Sequence, residues 1–469
     1  MRPLTFFAAA SLLALVTPAL AQTSPIPDRY QPHPYVEISA PEWTRNAVVY
    51  QINTRQFTPE GTFRAAQAQL PRLRALGVDI IWLMPIHPIG QVNRKGTLGS
   101  PYAVRDYYGV NPEFGTKDDL KAFVDAAHAQ GMRVILDWVA NHTAWDNPMA
   151  RDHPDWYERN WDGQFRPTTW FDWTDIIDLD YSKPEVRQYM TGAMVHWVRE
   201  YGIDGYRADV AGMVPVDFWN NVRAELDAIR PVFMLAEWEW PELHRRAFDA
   251  SYAWGWAEAM RKVAHGEADV GALFGWLSWD DGAWPAESMR LMGTSNHDWN
   301  AWEGTEYEMF GPALENATVL TFVARGMPMI YNGQEAGNAR RLAFFERDPI
   351  IWPATEHANT AMYRRLIAFR DAHPALHNGR WGARPVPVIN SAPSKVLSFV
   401  RQHPAANGQP GDKVFAIFNM SAEPQTIRFS AGPYAGDYTD FRDGGAVHID
   451  ATTTLTLPAW GHKLLTGRP

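Results

Sequence analysis

Asp204-Gly205-Tyr206-Arg207-Ala208-Asp209-Val210 is the stretch from which the rest of the chain can be organised. A short run ending in Arg and Asp makes sense when its polar heads emerge at the rim of a packed layer. The stretch therefore reads as a buried strand whose C-terminal end presents a carboxylate. A second such run, Val232-Phe233-Met234-Leu235-Ala236, ends in Glu237. Two carboxylates at the ends of successive strands suit the hydrolysis of a sugar linkage, one ionised to attack and the other protonated to donate. A single acid at a strand end is common, because it marks where the chain meets water. The pair gains weight from two further strand ends: Asp137-Trp138-Val139-Ala140-Asn141-His142 follows Arg133-Val134-Ile135-Leu136, and Ser295-Asn296-His297-Asp298 follows Met289-Arg290-Leu291-Met292-Gly293.

Working outward from these runs, strand and helix alternate. Strands are expected at 46–52, 78–84, 133–136, near 205, at 232–236, near 289 and at 327–331. Helices are expected at 62–76, where Pro71 divides the segment, and at 117–130, 216–229, 313–324 and 359–372, with further helical segments between 254 and 277. That rhythm without internal repeats predicts a parallel sheet wrapped by helices, closed into a (β/α)8 TIM barrel with its chemistry at the C-terminal rim. The alternative, a doubly wound open sheet, wants a glycine-rich turn after the first strand, and Thr54-Arg55-Gln56-Phe57 is not one. Residues 143–181 break the rhythm and read as a short excursion domain over the barrel mouth. From 373 to 469 alternating apolar segments separated by Gly, Pro and Asn predict an antiparallel β-sandwich. The barrel itself is assigned to 22–142 and 182–372.

Residues 1–21 read as a signal peptide: Arg2, an apolar run too short to span a bilayer comfortably, then Pro18-Ala19-Leu20-Ala21 with small residues at the cleavage positions. Cleavage after Ala21 predicts a periplasmic or secreted protein with no membrane anchor in its mature form. The chain has no Cys, so no disulfide framework and no lipid-attachment cysteine. A formal net charge of -10 argues against a nucleic-acid partner, which wants a basic face. Aromatics make up 13% of the residues, including 22 Trp; most must fill the core, but flat rings also suit the apolar faces of sugars.

Taken in order, these motifs resemble the α-amylase family of glycoside hydrolases, family thirteen, over nearly the whole mature chain. Asp137-x-Val139-x-Asn141-His142 looks like its first region, Gly205-x-Arg207-x-Asp209 its second, Glu237 its third and Asn296-His297-Asp298 its fourth. Ile177-Asp178-Leu179-Asp180 is similar to the family's short motif in the excursion, and Gly326-x-Pro328 through Glu335 to the one at the eighth strand. The resemblance implies a retaining α-glucan hydrolase acting on α-1,4 linkages of maltooligosaccharides, with no organic cofactor. Asp209 would form a covalent glycosyl–enzyme intermediate, Glu237 would protonate the departing oxygen and then activate water, and Asp298 would hold the sugar's secondary hydroxyls. Arg207, on the same side of the strand as Asp209, would keep that nucleophile ionised.

His142 and His297 look like the family's hydroxyl-binding histidines, and Tyr102 like its sugar-stacking tyrosine. Asn141 and Asp178 match positions that ligate a structural calcium in many relatives, oxygen ligands being suited to that ion. Two departures bear on substrate: Val210-Ala211-Gly212-Met213 stands where many endo-acting amylases carry a Lys-His pair, and Ile177 where relatives often carry proline. An α-glucosidase, or a glucosyl transferase or isomerase, therefore remains an alternative, as does a non-catalytic glucan-binding protein, which loss of the three carboxylates would have favoured. Endo or exo action and oligomeric state are not written in the sequence.

Overall fold

A computed structural model describes residues 30–406, 408 and 410–469; the expected signal peptide at 1–21 lies outside them. Val36–Pro469 form one compact unit, which contains the site. Among the described residues no helix is long and apolar enough to cross a membrane.

Eight parallel strands close into the predicted barrel: β1 (Val49–Ile52), β2 (Ile80–Leu83), β3 (Arg133–Trp138), β6 (Gly205–Ala208), β7 (Phe233–Ala236), β8 (Ala250–Tyr252), β9 (Met289–Met292) and β10 (Met327–Tyr331), with β10 returning to β1. Runs such as Val-Tyr-Gln-Ile and Ile-Ile-Trp-Leu are buried at every position, as strands covered on both faces must be. The two faces sort by parity. Tyr50, Ile81, Val134 and Met234 join the layer shared with the helices. Val49, Ile80, Trp82, Ile135, Phe233 and Leu235 fill the barrel interior. Counting on by two along the inward face gives Gln51, Asp137, Arg207, Asp209 and Glu237, so the alternation that fills the barrel also aims the polar groups into its mouth.

Gly205 is required by the close approach of β6 and β7. Its φ is +154°, and a Cβ there would lie 1.8 Å from the carbonyl oxygen of Phe233. The helix expected at 62–76 is two helices, Phe63–Gln67 and Leu70–Leu76, with Pro71 in the first turn of the second and Gly77 ending it in the left-handed conformation. The helix Lys117–Ala129 starts on a reciprocal cap between Thr116 and Asp119.

Two elements were not expected from the sequence. The 18-residue helix Pro184–Tyr201 buries Val186, Met190, Ala193, Met194, Trp197 and Val198, a stripe diluted by Gln188, Thr191, Gly192 and His196. Strand β8 is only Ala-Ser-Tyr, without an apolar run of its own; its pairing with Leu235 on one side and Met289 on the other makes it a strand.

The excursion contains an antiparallel hairpin of β4 (His142–Ala144) and β5 (Ile176–Asp178), in which His142 pairs with Asp178. After the helix Ala358–Ala372 the tail builds a six-stranded antiparallel sheet around Val396–His403 and Asp412–Asn419. Two short strands follow: Gln425–Ile427 pairs with Leu455–Leu457, and Phe429–Ala431 with Ile389–Asn390. Leu397, Phe399, Val414 and Phe418 on one face of the tail sheet join the core of the barrel's outer layer, while Val400, Phe415 and Ile417 form a second core on the other face. That shared core accounts for barrel and tail forming one unit.

Candidate active site

Ala208 and Ala236 are register partners at the ends of β6 and β7, and the next residue on each strand is Asp209 and Glu237. Their backbones continue the ladder: Asp209 N–H donates to the Trp138 carbonyl (2.9 Å) and Glu237 N–H to that of Ala208 (3.0 Å). Between them lies the Arg207 guanidinium, fully buried. Its Nη1 is 2.9 Å from Asp209 Oδ1 and 2.7 Å from Asp137 Oδ1, and its Nη2 is 2.6 Å from Glu237 Oε1. The ring centroids of Trp82, Tyr102 and Tyr252 lie 5.1, 5.7 and 5.8 Å from the guanidinium carbon. Glu237 Oε2 accepts from the backbone N–H of Val210 (2.7 Å), a β-branched residue held at φ +36°. Such a conformation is costly and persists only where the surroundings impose it.

One buried cation thus faces three carboxylates. Burial and the neighbouring Glu237 push Asp209 well above the usual carboxylate range, against the pull of Arg207. Burial likewise pushes Asp137 up to about 6, with Arg207 opposing. Arg207 pairs with Asp209 as the sequence leads one to expect, and its charge, divided among three acids, opposes the desolvation that raises the Asp209 carboxyl.

Asp137 Oδ2 accepts from Trp82 Nε1 (3.1 Å) and from the Tyr102 hydroxyl (2.9 Å), and the Tyr102 oxygen lies 2.6 Å from His297 Nε2. Gln51 Nε2 is 2.7 Å from His297 Nδ1. With Gln51 donating, His297 carries its proton on Nε2, which also lies 3.2 Å from Asp298 Oδ2. Burial and the Arg207 charge push His297 down to about 3, and burial pushes His142 down to about 4, so both rings are neutral hydrogen-bonding groups at pH 7. Asp298 makes no helix cap; Asn296 Oδ1 takes the N–H of Trp299 instead (2.7 Å). The Asp298 side chain is 41% exposed to the cleft, and burial by the cleft walls pushes its carboxyl up to about 6 against the Arg207 charge and a hydrogen bond from Trp302.

Tyr102, His142, Asp209, Glu237, His297 and Asp298 line one cavity of about 650 Å3, within the range of sites that enclose small ligands. Arg207 lies beneath them. Sequence reasoning gave no role to Asp137, Gln51, Trp82 or Tyr252, which orient these groups, nor to Trp173, Trp302 and Phe344, which also line the cavity. The inward parity of β1, β2 and β3 would have found the first three. Tyr252 sits on the strand that was not expected.

Asn141 and Asp178, the residues expected at a calcium site, do meet. Asp178 Oδ1 accepts from the Thr168 hydroxyl and from Asn141 Nδ2 (3.2 Å), and Arg166 Nη2 stands 3.5 Å from its Oδ2. A guanidinium beside the carboxylate opposes a second cation, and among the described residues no group of three His, Cys, Asp or Glu side chains is placed to hold a metal. The arrangement does not fit a calcium site. Dialysis against EDTA is expected to leave Tm and turnover unchanged; a fall of several degrees, reversed by calcium, would restore the calcium expectation.

Residues 45–233 match the model of the alpha amylase catalytic domain. Alpha-amylase MalA of Haloarcula japonica is 28% identical over 438 residues, covering 89% of this chain and 62% of that protein, so the chain spans less than two thirds of this relative. The crystal structure of the noncanonic maltogenic alpha-amylase AmyB from Thermotoga neapolitana superposes with a TM-score of 0.81 at 28% identity, covering 90% of this chain and 99% of that one. That of an alpha-amylase from Lactobacillus plantarum gives 0.79 at 31% identity, covering 91% and 99%.

Proposed function

Because the chain belongs to the α-amylase family of glycoside hydrolases, we propose that it is a retaining α-glucan hydrolase, exported to the periplasm or medium, that cleaves α-1,4 linkages of maltooligosaccharides. The observation that carries the reading is the pairing of Asp209 and Glu237 through one guanidinium at the ends of adjacent strands, with Asp298 in the same cavity.

The Asp209 carboxylate attacks the anomeric carbon as the bond to the leaving oxygen breaks, and Glu237 delivers its proton to that oxygen. Three buried acids around one cation favour retention of a proton in the site. For the first step that proton must reside on Glu237. Here Glu237 faces donors through both oxygens, Arg207 on one and the Val210 N–H on the other, so one contact has to yield as the glycosidic oxygen arrives. As the neutral glycosyl ester forms, the negative charge leaves Asp209 and reappears on Glu237, which has given its proton to the departing oxygen, so Arg207 keeps the same number of anionic partners. Glu237, now a carboxylate, takes the proton of the water that hydrolyses the ester. Asp298, His297 and His142 are placed to hold hydroxyls of the sugar, and Tyr102 offers its ring.

The reading is tested by incubating the protein with maltoheptaose and following the first-formed products by proton NMR. Maltooligosaccharides or glucose released as the α-anomer are expected. Absence of cleavage, or products of inverted configuration, would overturn it.

A further inference from the structure

The residues lining the cleft are spread unevenly around the barrel mouth. Trp302 stands on a short π-helix, Trp299–Glu303, directly after Asp298. Its ring centroid is 5.3 Å from Phe344 and 5.7 Å from Phe345, in the segment that follows β10. The Phe345 carbonyl accepts from Leu98 N–H (3.1 Å) and Glu346 from Thr97 N–H (2.7 Å), both in the loop after β2. Gly96 of that loop is seated so tightly that a Cβ would lie 2.5 Å from the Phe345 Cβ. Lys95 reaches on into the excursion, donating to the Asp172 carbonyl with its ammonium 3.7 Å from the Asp172 carboxylate. Trp173 continues the line, its ring stacked on Phe171 at 4.3 Å.

An unbroken series of contacts thus runs from the end of β9 past β10 and β2 to the excursion after β3, and Lys95, Gly96, Asp172, Trp173, Trp302 and Phe344 all line the cavity. On the opposite arc, at the ends of β6 and β7, the lining comes from Asp209, Val210 and Glu237 alone.

The wall stands behind one half of the substrate. Phe344 is 6.1 Å from the ring of His297 and 6.2 Å from that of Tyr102, in both cases near parallel. These groups and Asp298 belong to the sugar that receives Asp209. The departing sugar lies toward Glu237, which protonates its oxygen. Further residues on the glycone side extend toward the non-reducing end, and that is the side the wall occupies.

We propose that the Trp302–Phe345–Lys95 wall closes the glycone end of the cleft, so that the protein works from the non-reducing chain end and releases a short product of fixed length. This deepens the proposed function and rests on it. The wall acts by exclusion, since a longer glycone has no path past it.

The test compares p-nitrophenyl α-maltoheptaoside, free and with the 4- and 6-hydroxyls of its non-reducing glucose tied in an ethylidene acetal, products being separated chromatographically. The free chain should lose one short product per turn, and the capped chain should be cleaved at least about 100-fold more slowly. In Lys95→Ala/Phe345→Ala the capped chain should come within about tenfold of the free one. Equal rates on both chains in the wild type would overturn the wall while leaving the hydrolase reading intact. A double variant that cleaves the free chain and still rejects the cap would also overturn it. Should the variant not fold, cyclomaltoheptaose, which has no chain end, decides with the wild type alone: resistance supports the wall, and hydrolysis at the rate of the linear chain overturns it. Cleavage of none of these substrates would overturn the function and this inference together.

Discussion

Asp209→Asn is expected to lower kcat on maltoheptaose by about 10⁴-fold or more, since no neighbouring group can form the glycosyl ester in its place. By the usual conversion that is about 5 kcal/mol of lost transition-state stabilisation. Asp298 is 41% exposed on the glycone side, and Glu237 is tied to Arg207 and the Val210 N–H, so neither replaces the lost carboxylate.

The same substitution should stabilise the fold. An acid whose pKa is raised on folding contributes stability only below its unfolded value, and that contribution is lost as the pH rises through the folded value. Asp209 starts from an ordinary value of 3.8 and is raised well above it, so at neutral pH its ionisation costs stability that a neutral amide does not incur. A gain of about 2–5 °C in Tm at pH 7 is expected, shrinking as the pH approaches that ordinary value. A variant that loses activity and melts lower at neutral pH would contradict the electrostatic account of the site.

Arg207→Met should give the largest loss of stability, about 3–5 kcal/mol by urea denaturation. Its side chain is fully buried, and its removal leaves Asp137, Asp209 and Glu237 facing one another without a cation. The methionine replaces part of the packing against Trp82 and Tyr252, so the loss reports mainly the stranded carboxylates. Arg207→Lys should recover only a part, because a single ammonium cannot place two nitrogens against Asp209 and Glu237 at once. A methionine variant as stable as the parent would show that the three acids are already neutral in the folded protein.

The barrel was legible because its strands are buried on both faces and stand out as apolar runs, and because several of the runs, those ending at Asp137, Asp209 and Glu237 among them, meet the rim with a polar residue. The three carboxylates, Arg207 and both histidines were legible for that reason and by their motifs. What failed to show has physical causes. Ala250–Tyr252 is too short to carry a period, and only its neighbours make it a strand, so Tyr252 beside Arg207 could not be placed. Asp178 and Asn141 meet as expected, yet Arg166, twelve residues before Asp178, changes what that meeting means, and sequence offers no sign that its guanidinium reaches the carboxylate. Trp302, Phe344 and Lys95 come from three separate connections between barrel elements, and such connections meet through long-range contacts that leave no local pattern.

The central claim, that Asp209 forms a covalent bond to the sugar, is tested most directly by trapping it. The protein is incubated with 5-fluoro-α-D-glucosyl fluoride, whose ester intermediate hydrolyses slowly, and the labelled peptide is located by mass spectrometry. One 5-fluoroglucosyl group per chain on the peptide containing Asp209, and none in Asp209→Asn, is the predicted result. A label on Glu237 or Asp298, or turnover of the reagent to a β-anomeric product without any label, would contradict it.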